Sequence, residues 1–328
     1  MKQLIKQNVT RISEYIYNQL KRQSIDDPSF LNNISFGIAS ETLLNHTTIG
    51  KKPNEIFYGI SDDFWFWLHT EGLKKNAALK RILPGFPNDE TQTMFTGAAG
   101  EQTLREAYHY YKIFRDQYQK YRGDISEARM LDFGCGWGRI IRFFLKDIEP
   151  SRIWGCDPVP EMIKLCKEQN KWCNFEQVNT NPPGVFEDNS FDMIYSYSVF
   201  SHLSEDFHLT LLPEIKRILK PGGLYLTTTR NRDFINYCAE LRKNTDLDSS
   251  HPGKGSSHAF LDTKKSLSDF DNGLFCHHSF NDPNWPYWGE TAIPKSYVMN
   301  NWTKHFTFVD FLEENPQNVI IVQKPPTT

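Results

Sequence analysis

Three glycines in "LDFGCGWGR" (Leu131 to Arg139) alternate with other residues, and Asp132 stands two positions before the first of them. A second acid, Asp157, ends the next apolar run, "RIWGCD". Glycine tolerates positive φ and lets another molecule come close to the backbone. A Gly134-x-Gly136-x-Gly138 loop after a short apolar strand therefore suits a nucleotide-like ligand held at the carboxyl end of a sheet. The dinucleotide fingerprint wants its third glycine three positions after the second. Arg139 occupies that position here, and the third glycine falls one residue early, which speaks against a pyrophosphate on the helix N-terminus. Asp132 would also repel phosphate and attract a cation. Asp157 can accept hydrogen bonds from two ribose hydroxyls.

A ligand with a ribose, no phosphate and a positive charge fits S-adenosylmethionine, and Arg139 disfavours a nicotinamide cofactor. Moving a methyl from a sulfonium needs alignment and exclusion of water. A base is needed only where the accepting atom carries a proton of high pKa. His202, in "SVFSHL", is the candidate base, because imidazole titrates near neutral pH. The alternative for His202 is a pocket wall. Tyr197 is the second catalytic candidate, and Tyr195 and Ser198 share its segment and could orient an acceptor. Tyr287, Trp288 and Glu290 are candidate substrate contacts. His277 and His278 lack a third ligand nearby, so no metal site is expected.

These residues need elements to position them. From 129 onward, short apolar runs alternate with helical patterns: "RMLDF", "GRIIRFFLKD", "RIWGCD", "PEMIKLCKEQN", "NFEQV", "FDMIYSYSVF", "SEDFHLTLLPEIKRILK" and "LYLTTT". Strands alternating with helices imply a parallel sheet covered on both faces. "FTFVDFLEE" and "NVIIVQK", joined at Asn315-Pro316, read as a closing hairpin. Upstream, Ile5, Val9, Ile12, Ile16 and Leu20 predict one helix, and residues 101–121 predict another with an aromatic stripe. "FWFWL" (Phe64 to Leu68) reads as core. Residues 231–290 are polar, long and glycine-bearing, which suits a lid.

"LDFGCGWGR", "GCDPVPEMI", "FDMIYSYSVFSHL" and "LPEIKRILKPGGLYLTTT" together resemble the class I S-adenosylmethionine-dependent methyltransferases, in order and at family-like spacing over residues 129–230. "YWGETAIPKSYVMNNW" and the final hairpin resemble a bacterial subgroup. The resemblance implies a doubly wound, mostly parallel α/β sheet of seven strands with a C-terminal antiparallel hairpin. It divides the chain into a helical cap, 1–125, and a methyltransferase domain, 126–328, with 231–290 as lid or substrate-binding insertion. It implies cofactor contacts at Asp132, Gly134, Cys135, Gly136, Gly138, Asp157, Pro158, Asn179 and Ser196. Trp137 would narrow the cleft. The implied activity is methyl transfer to an O or N acceptor on a small molecule, sugar or peptide. The alternative is an inactive binding or scaffold protein of the same fold. An aminopropyltransferase shares the fold but expects acids after the fourth strand, and "YSYSVF" has none.

Composition sets further bounds. The 328 residues carry 37 basic and 40 acidic side chains, a net charge of -3 that lacks the basic footprint of a nucleic-acid binder. The six cysteines form no Cys-x-x-Cys pair and read as reduced packing residues. No apolar run is long enough for a membrane span and the first residues lack a signal-peptide core, so a cytoplasmic protein is expected.

Overall fold

The computed structural model describes residues 35–41, 44, 50–180, 184–243 and 253–326. The helix expected through Ile5 and Leu20 lies outside them. Strands β1 (Met130–Phe133), β2 (Ile153–Asp157), β3 (Asn174–Gln177), β4 (Phe191–Ser196) and β5 (Leu219–Arg230) pair in parallel in the order β3-β2-β1-β4-β5. All four residues of β1 are buried. Such continuous burial, without polar alternation, marks a strand covered on both faces.

Beyond β5 come the short strands β6 (Cys276–Ser279) and β7 (Gly289–Ala292), followed by β8 (Thr307–Leu312) and β9 (Gln317–Gln323). β9 runs antiparallel to β5 from Leu224↔Gln323 to Arg230↔Gln317, and β8 is antiparallel to β9. The expected seven strands are therefore β3-β2-β1-β4-β5-β9-β8. β6 and β7 raise the sheet to nine. They are an antiparallel pair inside the polar insertion, joined to the main sheet at Arg230↔Ala292. This seats the insertion at the carboxyl end of β5. The insertion also holds α-helices at Arg232–Lys243 and Thr263–Asp271, and a small core around Phe234, Ile235, Cys238 and Phe260.

Two local readings are corrected. "GRIIRFFLKD" is a turn leading into a 3₁₀ helix, Ile141–Lys146, whose six residues are all buried. The Phe143 carbonyl, which a continuing α-helix would use internally, accepts the Trp65 indole N–H at 2.9 Å. The strand of "LYLTTT" starts earlier than its apolar run, because β5 begins at Leu219 and absorbs Pro221, Gly222 and Gly223 in a register shift opposite Phe191 and Met193.

The described N-terminal residues share the core of the sheet layer. Phe64, Trp65, Trp67 and Leu68 are buried as expected of "FWFWL". They belong to the same apolar cluster as Phe143, Phe144 and Tyr195 of the sheet layer. Helix α1 (Glu101–Arg122) lies between them, with Tyr108, Tyr111 and Phe114 inside. Its Arg115 grips Asp62 with two nitrogens at 2.7 and 2.8 Å, and Lys146 reaches the same carboxylate at 2.6 Å. Among the described residues, no helix is long and apolar enough to cross a membrane.

Candidate active site

A cavity of about 830 Å³ opens beside the glycine loop that follows β1, and that loop, the β2 end, the turn after β4 and the insertion all border it. This size is within the range of small-molecule sites. Gly134, at φ +80°, has no room for a side chain: a Cβ would stand 2.4 Å from Val199 Cγ2. Gly136, at φ +52°, faces open space, with nothing within 4 Å of where a Cβ would be. The first glycine lets the loop pack, and the second keeps its inner surface bare.

Asp132 lines the cavity, and Tyr195 donates its hydroxyl to Oδ2 at 2.7 Å. Burial pushes this carboxyl up to about 7; the nearby Asp157 acts in the same direction, while Tyr195 and Arg139 oppose it. Asp157 Oδ2 accepts the Gly136 N–H and Oδ1 accepts the Val159 N–H, both at 2.9 Å. The acid expected at the ribose therefore also ties the glycine loop to the start of helix α2 (Pro160–Gln169). A carboxylate oxygen has a second lone pair, so this role leaves acceptor capacity toward the cavity. Burial raises the Asp157 carboxyl as well.

Cys135, Pro158 and Asn179 border the cavity, as does Trp137. Two expected contacts are placed elsewhere. Gly138 is a turn residue at φ +78°, whose N–H donates to the Cys135 carbonyl at 2.9 Å. Ser196 is fully buried, bonded to Tyr225 Oη at 2.9 Å and Thr227 Oγ1 at 2.6 Å. Neither is among the residues that line the cavity.

His202 also borders the cavity. Its Nδ1 lies 2.8 Å from the Gly289 carbonyl, and a carbonyl only accepts, so Nδ1 carries the proton and Nε2 the lone pair. Trp288 stacks on the ring at 4.7 Å, and Glu290 Oε2 is 3.6 Å from Nδ1. Burial holds the imidazole below its usual pKa; Glu290 opposes this and Arg230 adds to it. It is thus neutral at neutral pH. Tyr197 borders the cavity under the Arg139 guanidinium, 5.0 Å from its ring. Burial keeps its phenol well above the ordinary range, so Tyr197 presents a neutral hydroxyl.

The insertion closes the far side. Backbone bonds from Gly289 N–H to the His202 carbonyl and from Ser204 N–H to the Tyr287 carbonyl, each 2.8 Å, tie it to the turn after β4. Tyr287 stacks on Phe207 at 3.9 Å. Glu290 is buried, accepting from Ser256 Oγ at 2.7 Å and Arg230 Nε at 3.3 Å. His277 and His278 do not line the cavity. His277 bonds Thr291 Oγ1 at 2.8 Å, and burial lowers it to about 4. Among the described residues no group of three His, Cys, Asp or Glu could hold a metal.

Among the lining residues that the sequence reading did not single out as site residues are Glu106, Arg139, Arg230 and Gln317. Arg139 pairs with Glu106 of α1 at 2.9 Å, fixing the helix against the glycine loop. Its place directly after the loop was the available signal. Nothing local marked the other three.

Residues 131–227 match the family model described as a methyltransferase domain. Among curated proteins, the chain is 30% identical over 105 residues to the probable phthiotriol/phenolphthiotriol dimycocerosates methyltransferase 2 of Mycobacterium ulcerans, covering 32% of this chain and 40% of that one. It is 29% identical over 108 residues to the fatty-acid O-methyltransferase of Mycolicibacterium smegmatis, covering 33% and 39%. An uncharacterized methyltransferase of Schizosaccharomyces pombe is 30% identical over 121 residues, covering 34% and 42%. The chain thus spans about two fifths of the length of these relatives. With the sheet order, the glycine loop and the two strand-end acids in place, residues 131–227 are a methyltransferase domain of the class I S-adenosylmethionine-dependent family.

Proposed function

We propose that this protein transfers a methyl group from S-adenosylmethionine to a hydroxyl oxygen of a small molecule. The observation that carries this reading is that one cavity joins Asp132 and the bare glycine loop to a neutral, lone-pair-bearing His202. The residues present fit the cofactor. A buried carboxylate with one hydroxyl partner suits an ammonium group, and Asp157 keeps acceptor capacity for ribose hydroxyls. Gly136 leaves the loop surface free, and Asn179 stands at the cavity rim for the adenine edge.

When bound, the cofactor supplies a methyl already activated by its positive sulfur. The chain does the rest by alignment and water exclusion. The insertion walls the acceptor side with Tyr287 and Trp288, and His202 receives the proton that a hydroxyl must lose. The Glu290 carboxylate, close to Nδ1, favours the charged imidazole at that moment. An amine with a free lone pair would need no such base. The relatives named for fatty-acid and lipid substrates support a small-molecule acceptor over a macromolecule.

The test is incubation with methyl-labelled S-adenosylmethionine and a panel of hydroxyl, carboxyl and amine compounds. Label is expected on hydroxyl oxygen, not on carboxyl groups, and His202→Ala should lower that turnover by about two to four orders of magnitude. Label confined to amines, at a rate His202→Ala leaves unchanged, would contradict the reading.

A further inference from the structure

The lone pair of His202 is not free to meet an acceptor directly. Ser198 Oγ lies 3.3 Å from Nε2, Trp288 covers one ring face, and Nδ1 is committed to the Gly289 carbonyl. Ser198 itself is held in an unusual way. It follows β4 at φ +58°, a left-handed conformation that side-chain-bearing residues seldom adopt. Its N–H donates to Thr228 Oγ1 at 2.8 Å. Such strain persists only where the surroundings over-determine it, and it concentrates at functional sites.

The hydroxyl direction follows from a chain of fixed donors and acceptors. The Gly289 carbonyl forces the proton onto His202 Nδ1, so Nε2 can only accept. Ser198 then donates its one proton to Nε2 at 3.3 Å, the nearer of its two possible acceptors, with Ser201 Oγ at 3.4 Å. Its oxygen is left to accept, and Gln317 Nε2 donates to it at 3.0 Å. Gln317 is anchored for this purpose. Its backbone N–H donates to Tyr110 Oη at 2.8 Å, and Tyr110 donates back to the Gln317 carbonyl at 2.7 Å. Ser198, His202 and Gln317 all border the cavity, and Ser198 is only half-buried.

We propose that Ser198 is the residue that meets the acceptor hydroxyl and relays its proton to His202, with Gln317 as the positioning residue that aims it. The inference rests on the methyl-transfer reading above. In one balanced step, the acceptor oxygen bonds the methyl carbon and the methyl–sulfur bond breaks, leaving its electron pair on sulfur. The acceptor's proton passes to Ser198 Oγ as the Ser198 proton passes to His202 Nε2. The imidazolium so formed faces the Glu290 carboxylate, which Arg230 shares; His277 is the other titratable group turned toward it. The proton later leaves to solvent when product departs.

Two measurements test this on the full chain, the first with S-adenosylhomocysteine bound and the second under turnover. Long-range proton–nitrogen spectra should show His202 with its proton on Nδ1 and its Nε2 as a hydrogen-bonded acceptor. In Ser198→Ala, Nε2 should move toward the shift of an unbonded nitrogen while Nδ1 stays put. A proton on Nε2, or spectra unchanged in Ser198→Ala, would overturn the relay. With the hydroxyl acceptor found by the labelled panel, Ser198→Ala and His202→Ala should each lower kcat by about a hundred- to ten-thousandfold. The double variant should be no slower than either alone, since members of one unit are not additive. Gln317→Met should lower kcat about tenfold, with KM little changed and an altered pH profile. Wild-type kcat in Ser198→Ala, or losses that multiply in the double variant, would defeat the proposal. Failure of S-adenosylhomocysteine to bind at all would defeat both this inference and the function it rests on.

Discussion

Asp132→Asn is expected to give a ligand-free protein that is more stable than the wild type and a poor binder of S-adenosylmethionine. The buried carboxyl is pushed from 3.8 to about 7 in the folded protein. Between those values the folded state holds a proton that the unfolded state has lost, so stability falls as pH rises from about 4 to about 7. Above about pH 7 the full penalty of a buried charge is present, at most about 4 kcal/mol for that shift. Asparagine has the same shape, can still accept from Tyr195 Oη and carries no charge. The gain should therefore appear as a melting temperature several degrees higher at pH 8 and no different at pH 4. The cost falls on the ligand. Losing a charge-assisted bond to its amino group, worth roughly 1.5–3 kcal/mol, should weaken binding about ten- to a hundredfold. A variant that bound the cofactor normally would remove Asp132 from the site. One that melted lower at pH 8 would show that the buried charge stabilises the fold.

The second large effect separates the two halves of the glycine loop. Gly134→Ala should damage the fold itself. Its Cβ would sit 2.4 Å from Val199 Cγ2, at a φ of +80° that alanine resists. Overpacking of this kind costs about 1–3 kcal/mol, and the left-handed backbone adds roughly 1–2 kcal/mol. Since Val199 neighbours Ser198, the disturbance should also reach the acceptor side. Gly136→Leu should behave differently. Its Cβ meets nothing within 4 Å, so only the backbone term of roughly 1–2 kcal/mol remains. Yet the new side chain would stand in the cavity and exclude the cofactor. Thermal melts paired with S-adenosylhomocysteine titrations would check this. Equal melting losses for both, or retained binding in Gly136→Leu, would refute the division of roles.

The contrast shows what could be read before folding. Asp132, Gly134, Gly136 and Asp157 were legible because strand, loop and strand end are local in sequence, and each residue type answers a local physical need. The parallel sheet was legible for the same reason. Gly138 and Ser196 shared the motif's neighbourhood but point their chemistry into a turn and a buried hydroxyl network, which spacing alone does not reveal. The 3₁₀ segment at Ile141–Lys146 gives its Phe143 carbonyl to the Trp65 indole, dozens of residues upstream. Gln317 reaches Ser198 across 119 positions, and Arg230 reaches Glu290 across 60. Such pairings leave no trace in periodicity. The strand "CHHS" formed inside a polar insertion because "GETA" supplies its partner and not because of its own β propensity.

The most direct test of the account is calorimetric titration of the intact protein with S-adenosylmethionine and, separately, with NAD, across a pH series. The account predicts micromolar binding of the adenosyl ligand and none of NAD. It also predicts that the affinity, level above about pH 7, weakens as pH falls, approaching tenfold per unit, because the ligand's ammonium needs the ionised form of Asp132. Heat from NAD with none from S-adenosylmethionine, or an affinity that does not change between about pH 5 and pH 8, would contradict it.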